Sequence, residues 1–357
     1  MLKFILQIVT CNQWPKSKPV KNEEFSFPLL NVEGDTRQDI GHSPVKNVQI
    51  YGDSLMGCGF GKTECQDSYY IQTNLTQNSH FFAVYDGHGS HGKAVSDFVN
   101  GQFGLCFKIN ADKLDKLIVK KCMDSFFQHA FRVIENKLNK SRIDNYTSGT
   151  CCNLVLICGG KCFVANLGDS RAVLCRQVDP QNIKTIDLSS DHKPTRPDEK
   201  ERVLKMGGVI ESTDYEGEVI GPPRVWTKER DIGIAMTRAM GDLYGKKAGL
   251  ISEPEVNEFS LQSGDRFIIV ASDGLWDVMT SKEAVDFVLS FEDSGKPRNQ
   301  VARALVHEAQ KRWDDIEEEE EHPYRDDITV VVAFPEFYIT KTNSETPSSS
   351  VISLEQR

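Results

Sequence analysis

The chain has 357 residues, 39% of them hydrophobic and 26% charged, a balance that fits a globular protein with ample core. Its net charge of -10 argues against nucleic acid and anionic membrane as main partners and suits a basic phosphoprotein or peptide. The ten cysteines show no CxxC pairing, and Cys122, Cys151 and Cys158 fall inside helix or strand patterns where a small apolar residue fits, so a reducing compartment is the simpler reading.

Leu2 to Val9 has the length of a signal core, but it contains Lys3 and Gln7 and no small-residue cleavage site follows. Leu2 excludes N-myristoylation, and no later run is long enough to span a bilayer. An intracellular protein, cytoplasmic, nuclear or both, is expected. Residues 1–45 hold prolines, lysines and scattered polar residues without a sustained period, which predicts an extension with at most one strand near Phe25 to Val32.

GCGFGKTECQDSYYI, from Gly57 to Ile71, fails as a phosphate loop, because Gly57 is one residue too close to Gly61 and the residues after Thr63 are β-prone rather than helical. It reads instead as a turn feeding a strand that presents Lys62, Gln66 and Asp67 together. Next, the apolar run Phe81 to Tyr85 predicts a buried strand that stops at Asp86, followed by Gly87, His88 and Gly89. The glycines let Asp86 and the Gly87 carbonyl face one point while His88 swings over it. A hard divalent cation wants about six oxygen ligands, so further acids must arrive from other strand ends.

Residues 93–107 predict a helix and residues 112–142 a long amphipathic one, with Leu114, Ile118, Cys122, Phe126, Ala130, Ile134 and Leu138 at helical spacing as packing residues. From 150 to 188 the period switches to two, with hairpin turns at Gly159–Gly160 and at Gly168–Asp169. Asp169 therefore has a turn-forming role available to it. Asp191 and His192 read as turn or capping residues ahead of a short helix with Pro197 near its start and Gly207 past its end. Residues 211–232, with Pro222, Pro223 and Trp226, lack periodicity and predict a long loop or flap that sets substrate choice.

The run DIGIAMTRAMGDLYGK has apolar residues at helical spacing ending at Gly241, with Asp242 as a structural cap. Phe267 to Ala271 repeats the earlier design: a buried strand that stops at Asp273 and Gly274, with Asp277 four residues on. Thr280 and Glu283 predict a capping box on a helix through Phe291, and Pro297 starts another that runs to Trp313. The acidic run 314–321 reads as a solvated loop. Asp326 and Asp327 then open a β-branched strand, and the Ser/Thr-rich segment 337–357 predicts a disordered tail.

Asp86, Asp169, Asp273, Asp277 and Asp326 thus stand at strand ends or hairpin turns, an oxygen-only set that suits Mg or Mn rather than Zn. No EF-hand spacing occurs, and His88 with His91 lies in a Gly-rich turn rather than on a helix, so a zinc site is not expected. An ion pair bridged by one acid can lower the pKa of a shared water and neutralise a phosphoryl group under in-line attack. His88 is placed to protonate the departing oxygen.

VYDGHG, the SGT and ANLGDSRAVL hairpin, DHKP with PDEKER, RVW, AMTRAMGD, ASDGLWDV and DDITVVV occur in this order. From about residue 48 to 335 the chain resembles the metal-dependent, type 2C (PPM) protein serine/threonine phosphatases. The resemblance implies an α+β fold, a four-layer α-β-β-α sandwich with two central antiparallel β-sheets and a metal pair in a cleft at one edge. It further implies that Asp86 bridges two Mg or Mn ions, that the Gly87 carbonyl binds one of them, and that Asp273 and Asp326 bind the other. Asp169 and Asp277 match positions for a weaker third ion, shared with Asp273, and His88 matches the general acid.

Lys62 stands where many members carry a phosphate-holding arginine, and Gln66, beside Asp67, stands where many carry a glutamate that contacts metal-bound water. Lysine is a point charge rather than a planar fork, and glutamine removes one negative charge behind the ligands. The expectation is an active, metal-hungry, monomeric phosphatase acting on phosphorylated proteins, with residues 1–45 as an extension, 46–336 as the catalytic domain and 337–357 as a tail. The alternative, a catalytically weak relative that binds phosphoproteins as a regulatory module, would be favoured by a missing ligand acid. None is missing.

Overall fold

The computed structural model describes residues 44–59, 62–77, 79–215, 218–230, 232–317 and 324–338. Two five-stranded antiparallel sheets form its centre. In the first, the strands lie side by side as β1 (Val45–Leu55), β16 (Ile328–Phe337), β15 (Asp265–Ala271), β8 (Arg171–Asp179) and β9 (Asn182–Asp187). In the second, the order is β14 (Glu255–Ser260), β7 (Lys161–Leu167), β6 (Cys152–Cys158), β3 (Ser79–Tyr85) and β2 (Ser68–Thr76).

Every residue of β3 and β6 is buried because each of these strands is covered on both faces. Side chains alternate sides along a strand. Phe82 and Val84 therefore meet Leu174, Ile268, Val270 and Val331 of the other sheet, while Phe81 points outward. There it stacks on Phe107 of α1 (Gly92–Asn110), with ring centroids 4.0 Å apart, and Phe103 of the same helix meets Phe131 of α3 (Met123–Lys140) at 4.7 Å. Aromatic pairs of this kind each add about 0.5–1.5 kcal/mol beyond the area they bury.

On the outer face of the first sheet, Val173, Phe267, Ile269, Val330 and Val332 pack against α6 (Asp273–Trp276), α7 (Ser281–Asp293) and α8 (Val301–Glu317). The layers are helix, sheet, sheet, helix, as the family resemblance implies. The Thr280–Glu283 capping box is formed, and α4 (Pro197–Lys205) begins at Pro197 with Gly207 beyond its end. All nine described cysteines are free, and among the described residues no helix is long and apolar enough to cross a membrane.

The structure corrects four expectations. The long helix over 112–142 is broken into a 3-10 turn (Ala111–Lys113), α2 (Leu114–Val119) and α3. Lys121 takes the left-handed conformation at φ 55, and the Cys122 and Lys121 amides donate back to the Leu117 and Ile118 carbonyls. This is a Schellman stop made without the usual glycine.

The described part of 211–232 is mostly strand rather than loop, since β10 (Val209–Tyr215) and β11 (Glu218–Trp226) pair with each other, and β11 pairs with β12 (Gly233–Ile234). Pro222 and Pro223 fall where the β10–β11 register shifts, a bulge that demands no ladder bond from them. The helical spacing before Gly241 yields only β12 and β13 (Met240–Gly241), with the short α5 (Leu243–Lys246) after it. Asp314 to Glu317 continue α8 rather than forming a loop. The remainder of that acidic run, the strand expected at 25–32 and nearly all of the two terminal segments lie outside the described residues.

Candidate metal centre

Strand register brings the acids together. Ala271, at the end of β15, lies opposite both Arg171 at the start of β8 and Val330 near the start of β16. The residues just beyond those ends, Asp273, Asp169 and Asp326, are thereby gathered at one edge of the first sheet. In the second sheet, Val84 of β3 pairs with Asn153 of β6, and Cys152 pairs with Leu167 of β7. Asp86 thus comes beside Cys151, whose backbone amide donates to the Asp86 carbonyl at 2.8 Å.

Gly87 and His88 form β4, which pairs with β5 (Gly149–Thr150), itself paired with β13. A Cβ on Gly87 would lie 2.4 Å from the Gln66 carbonyl oxygen, so only glycine permits this approach.

Burial pushes the Asp86 carboxyl well above the ordinary range, and Asp273, Asp67, Asp326 and Asp169 push it further. Asp273 is raised in the same way by burial and by Asp169, Asp326 and Asp277. Asp277, exposed at the rim of the cluster, is raised by partial loss of water and by Asp169 and Asp326, against the pull of Lys193. Asp86 is only 9% exposed, yet its carboxylate has no hydrogen-bond or ion-pair partner among the described residues; half-buried Asp273 and exposed Asp277 likewise have none. Carboxylates crowded together without partners need a cation between them. Their oxygen donors fit a hard divalent ion of the Mg or Mn type.

The other candidates are already engaged. Lys62 Nζ donates to Asp326 Oδ1 at 2.9 Å and lies 3.2 Å from Asp327 Oδ2, while Tyr324 donates to Asp326 Oδ2 at 3.0 Å. Gln66 donates through Nε2 to the Gly89 carbonyl at 2.7 Å, bracing the DGHG turn. Asp67 is buried and accepts from the Ser272 hydroxyl at 2.7 Å, and its second oxygen is unpartnered. Burial pushes its pKa to about 8 despite help from Ser272 and Thr329.

His88 Nε2 lies 2.6 Å from Asp242 Oδ2, and its Nδ1 is buried with no partner. Burial pulls the imidazole pKa down, and the Asp242 carboxylate more than reverses that. Asp242 sits at the start of α5, but its side chain makes no capping bond. It holds the left-handed conformation at φ 48 with its amide bonded to the Ser148 carbonyl. A Cβ on Gly149 would lie 2.2 Å from its carboxylate oxygen, so β5 leaves room for this pairing.

Four residues of the centre were not singled out from the sequence. Asp242 was read as a cap, and its 154-residue separation from His88 leaves no local signal. Asp327 clamps the 57–66 segment, accepting from the Gly57 and Gln66 amides at 2.7 and 2.8 Å. Lys193 places Nζ 2.5 Å from Asp169 Oδ2, and this ammonium outweighs burial to hold the Asp169 pKa below its usual value.

Cys151, read as packing, donates its thiol to Asp169 Oδ1 at 3.1 Å. Asp86, Cys151 and Asp169 each offer a ligand atom within 4.8 Å of the other two. By contrast, Asp191 is spent on a forked pair with Arg171 at 2.7 and 2.9 Å, and His192 is buried against Gly168, so both are structural.

A sequence model of the family described as Protein phosphatase 2C matches residues 55–313. A protein of Arabidopsis thaliana described as probable protein phosphatase 2C 35 is 33% identical over 353 residues, covering 92% of this chain and 97% of the relative. One of Oryza sativa subsp. japonica, described as probable protein phosphatase 2C 64, is 34% identical over 278 residues, 76% of this chain and 62% of the relative. Among solved structures, the serine-threonine phosphatase 2C of Toxoplasma gondii superposes with a TM-score of 0.66 over 83% of this chain and 96% of its own, at 23% identity. That likeness bears on the fold alone.

Proposed function

The chain belongs to the protein phosphatase 2C family of metal-dependent protein serine/threonine phosphatases, and on that premise we propose that it hydrolyses phosphoserine and phosphothreonine at the carboxylate cluster described above. Asp86, the Gly87 carbonyl, Asp273 and Asp326 would hold two Mg or Mn ions, and Asp169 and Asp277, with Asp273, a weaker third. When bound, such ions neutralise phosphoryl charge and make water nucleophilic at neutral pH.

The chain's own residues do the rest. The Asp242 carboxylate orients His88 through Nε2 and favours its protonated form, the form that can deliver a proton to the departing serine or threonine oxygen. Lys62, tethered by Asp326 and Asp327 at the rim, supplies a fixed positive charge for the phosphate. Gln66 and Asp67 act from behind, Gln66 by holding the DGHG turn and Asp67 through Ser272 at the end of β15.

The observation that carries this reading is the buried Asp86 carboxylate, unpartnered and pressed by like charges. The test is phosphate release from a phosphothreonine peptide with Mn, with Mg and with EDTA, for the native chain and Asp273→Asn. Release with either ion that disappears with EDTA and in the variant supports the reading. A folded native chain that binds the peptide and releases nothing would shift the reading to a phosphoprotein-binding module.

A further inference from the structure

We propose that Asp86, Cys151 and Asp169 form a site for a thiophilic divalent cation of the Zn, Cd or Co class that overlaps the Mg or Mn centre, and that such a cation would draw Asp86 away from the Mg or Mn pair and oppose it. The inference rests on Asp86 and Asp169 facing metal, as proposed above, but not on hydrolysis.

The three donors lie within 4.8 Å of one another, and Cys151 and Asp169 are fully buried. Asp86, nine-tenths buried and without a partner for its carboxylate, is aimed into the same space. Position is fixed by the backbone, since the Cys151 amide donates to the Asp86 carbonyl at 2.8 Å. The sulfur sits under the β7–β8 turn, where a Cβ on Gly168 would lie 2.3 Å from it. Only glycine leaves that room.

Lys193 takes Asp169 Oδ2, so Oδ1 is the oxygen that faces the thiol. In a tetrahedral site with metal–sulfur and metal–oxygen distances of about 2.3 and 2.1 Å, sulfur and oxygen stand about 3.6 Å apart. The observed thiol bond of 3.1 Å would need to open by only about half an ångström. On binding, the S–H bond breaks, its proton passes to solvent and a sulfur–metal bond forms. Mg and Mn favour oxygen and have little affinity for sulfur, so the working ions would leave the thiol protonated.

The test uses the full chain stripped with EDTA and titrated with CoCl2, reading sulfur-to-cobalt charge-transfer absorption in the near ultraviolet, followed by CdCl2 in competition with MnCl2. The band should appear in the native chain and in Cys65→Ser, and be lost in Cys151→Ser. Cd affinity in Cys151→Ser should fall by at least about 10- to 100-fold while Mn affinity changes less. If circular dichroism shows that Cys151→Ser does not fold, Cys151→Thr replaces it under the same criteria. A native chain that binds Mn and releases phosphate but shows no band overturns this site and leaves the proposed function standing. A band that persists without Cys151 also overturns it, and a native chain that binds neither Co nor Mn overturns both.

Discussion

Two groups of buried and half-buried acids in this molecule have opposite fates. Glu199 is fully buried and accepts from Arg202, Arg238 and Thr237, and these partners outweigh burial to hold its pKa below the usual range. Half-buried Glu255 joins the same network through Arg238, and its pairing with His192 and Arg196 holds it down at about 2. Asp86 and Asp273 face other carboxylates and are pushed up. The first group is complete as folded; the second needs something from outside. Burial alone therefore does not identify a binding site. The separating feature is the sign of the charges around the buried acid.

The largest way to break this contrast is Asp86→Asn. It should lower phosphatase activity well beyond the roughly 10- to 100-fold that follows from disturbing a residue behind a metal ligand. The same change should raise the melting temperature of metal-free protein, because it removes a repelled charge. Glu199→Gln should act in the opposite sense, destabilising by about 3 kcal/mol in thermal or urea unfolding, since Arg238 loses its buried counter-charge.

Asp242→Asn should cost about 100-fold on a phosphothreonine peptide and far less on p-nitrophenyl phosphate, whose leaving group needs no proton. Equal losses on both substrates would place Asp242 outside proton delivery.

The pH dependence follows from the same contrast. The folded-state pKa of Asp67, about 8, lies above its unfolded value, so its stabilising contribution is complete below about pH 4 and is lost as pH rises through about 8. Glu255, held at about 2, contributes stability that is complete above about pH 4.3 and is lost as pH falls through about 2. Metal-free protein should therefore melt lower at about pH 9 than at about pH 6, and Mn should flatten that slope. The smallest expected effect is Thr280→Ala, which removes the capping box of α7 at a cost of about 1 kcal/mol and leaves phosphate release unchanged.

The strand-end acids were legible because short apolar runs stopping at Asp-Gly carry their own signal, as at Tyr85–Asp86 and Ala271–Asp273, whereas the two-sheet layering followed from the family resemblance. What stayed hidden depends on partners distant in sequence or on unusual local residues. Asp242 reaches His88 only through the pairing of β13 with β5 and of β5 with β4. Cys151 looks like packing until β7 places Asp169 beside it. The stop after α2 carries Lys121 where glycine is usual, and the two prolines of β11 hide a strand behind a loop signature.

The most direct test of the account is a count of bound Mn at saturation by equilibrium dialysis, comparing the native chain with Asp86→Asn. The account predicts about two tightly held ions in the native chain and the loss of both from the variant, because Asp86 is the acid they would share. An unchanged count in Asp86→Asn would show that the buried, unpartnered carboxylate is not what the metal centre is built on.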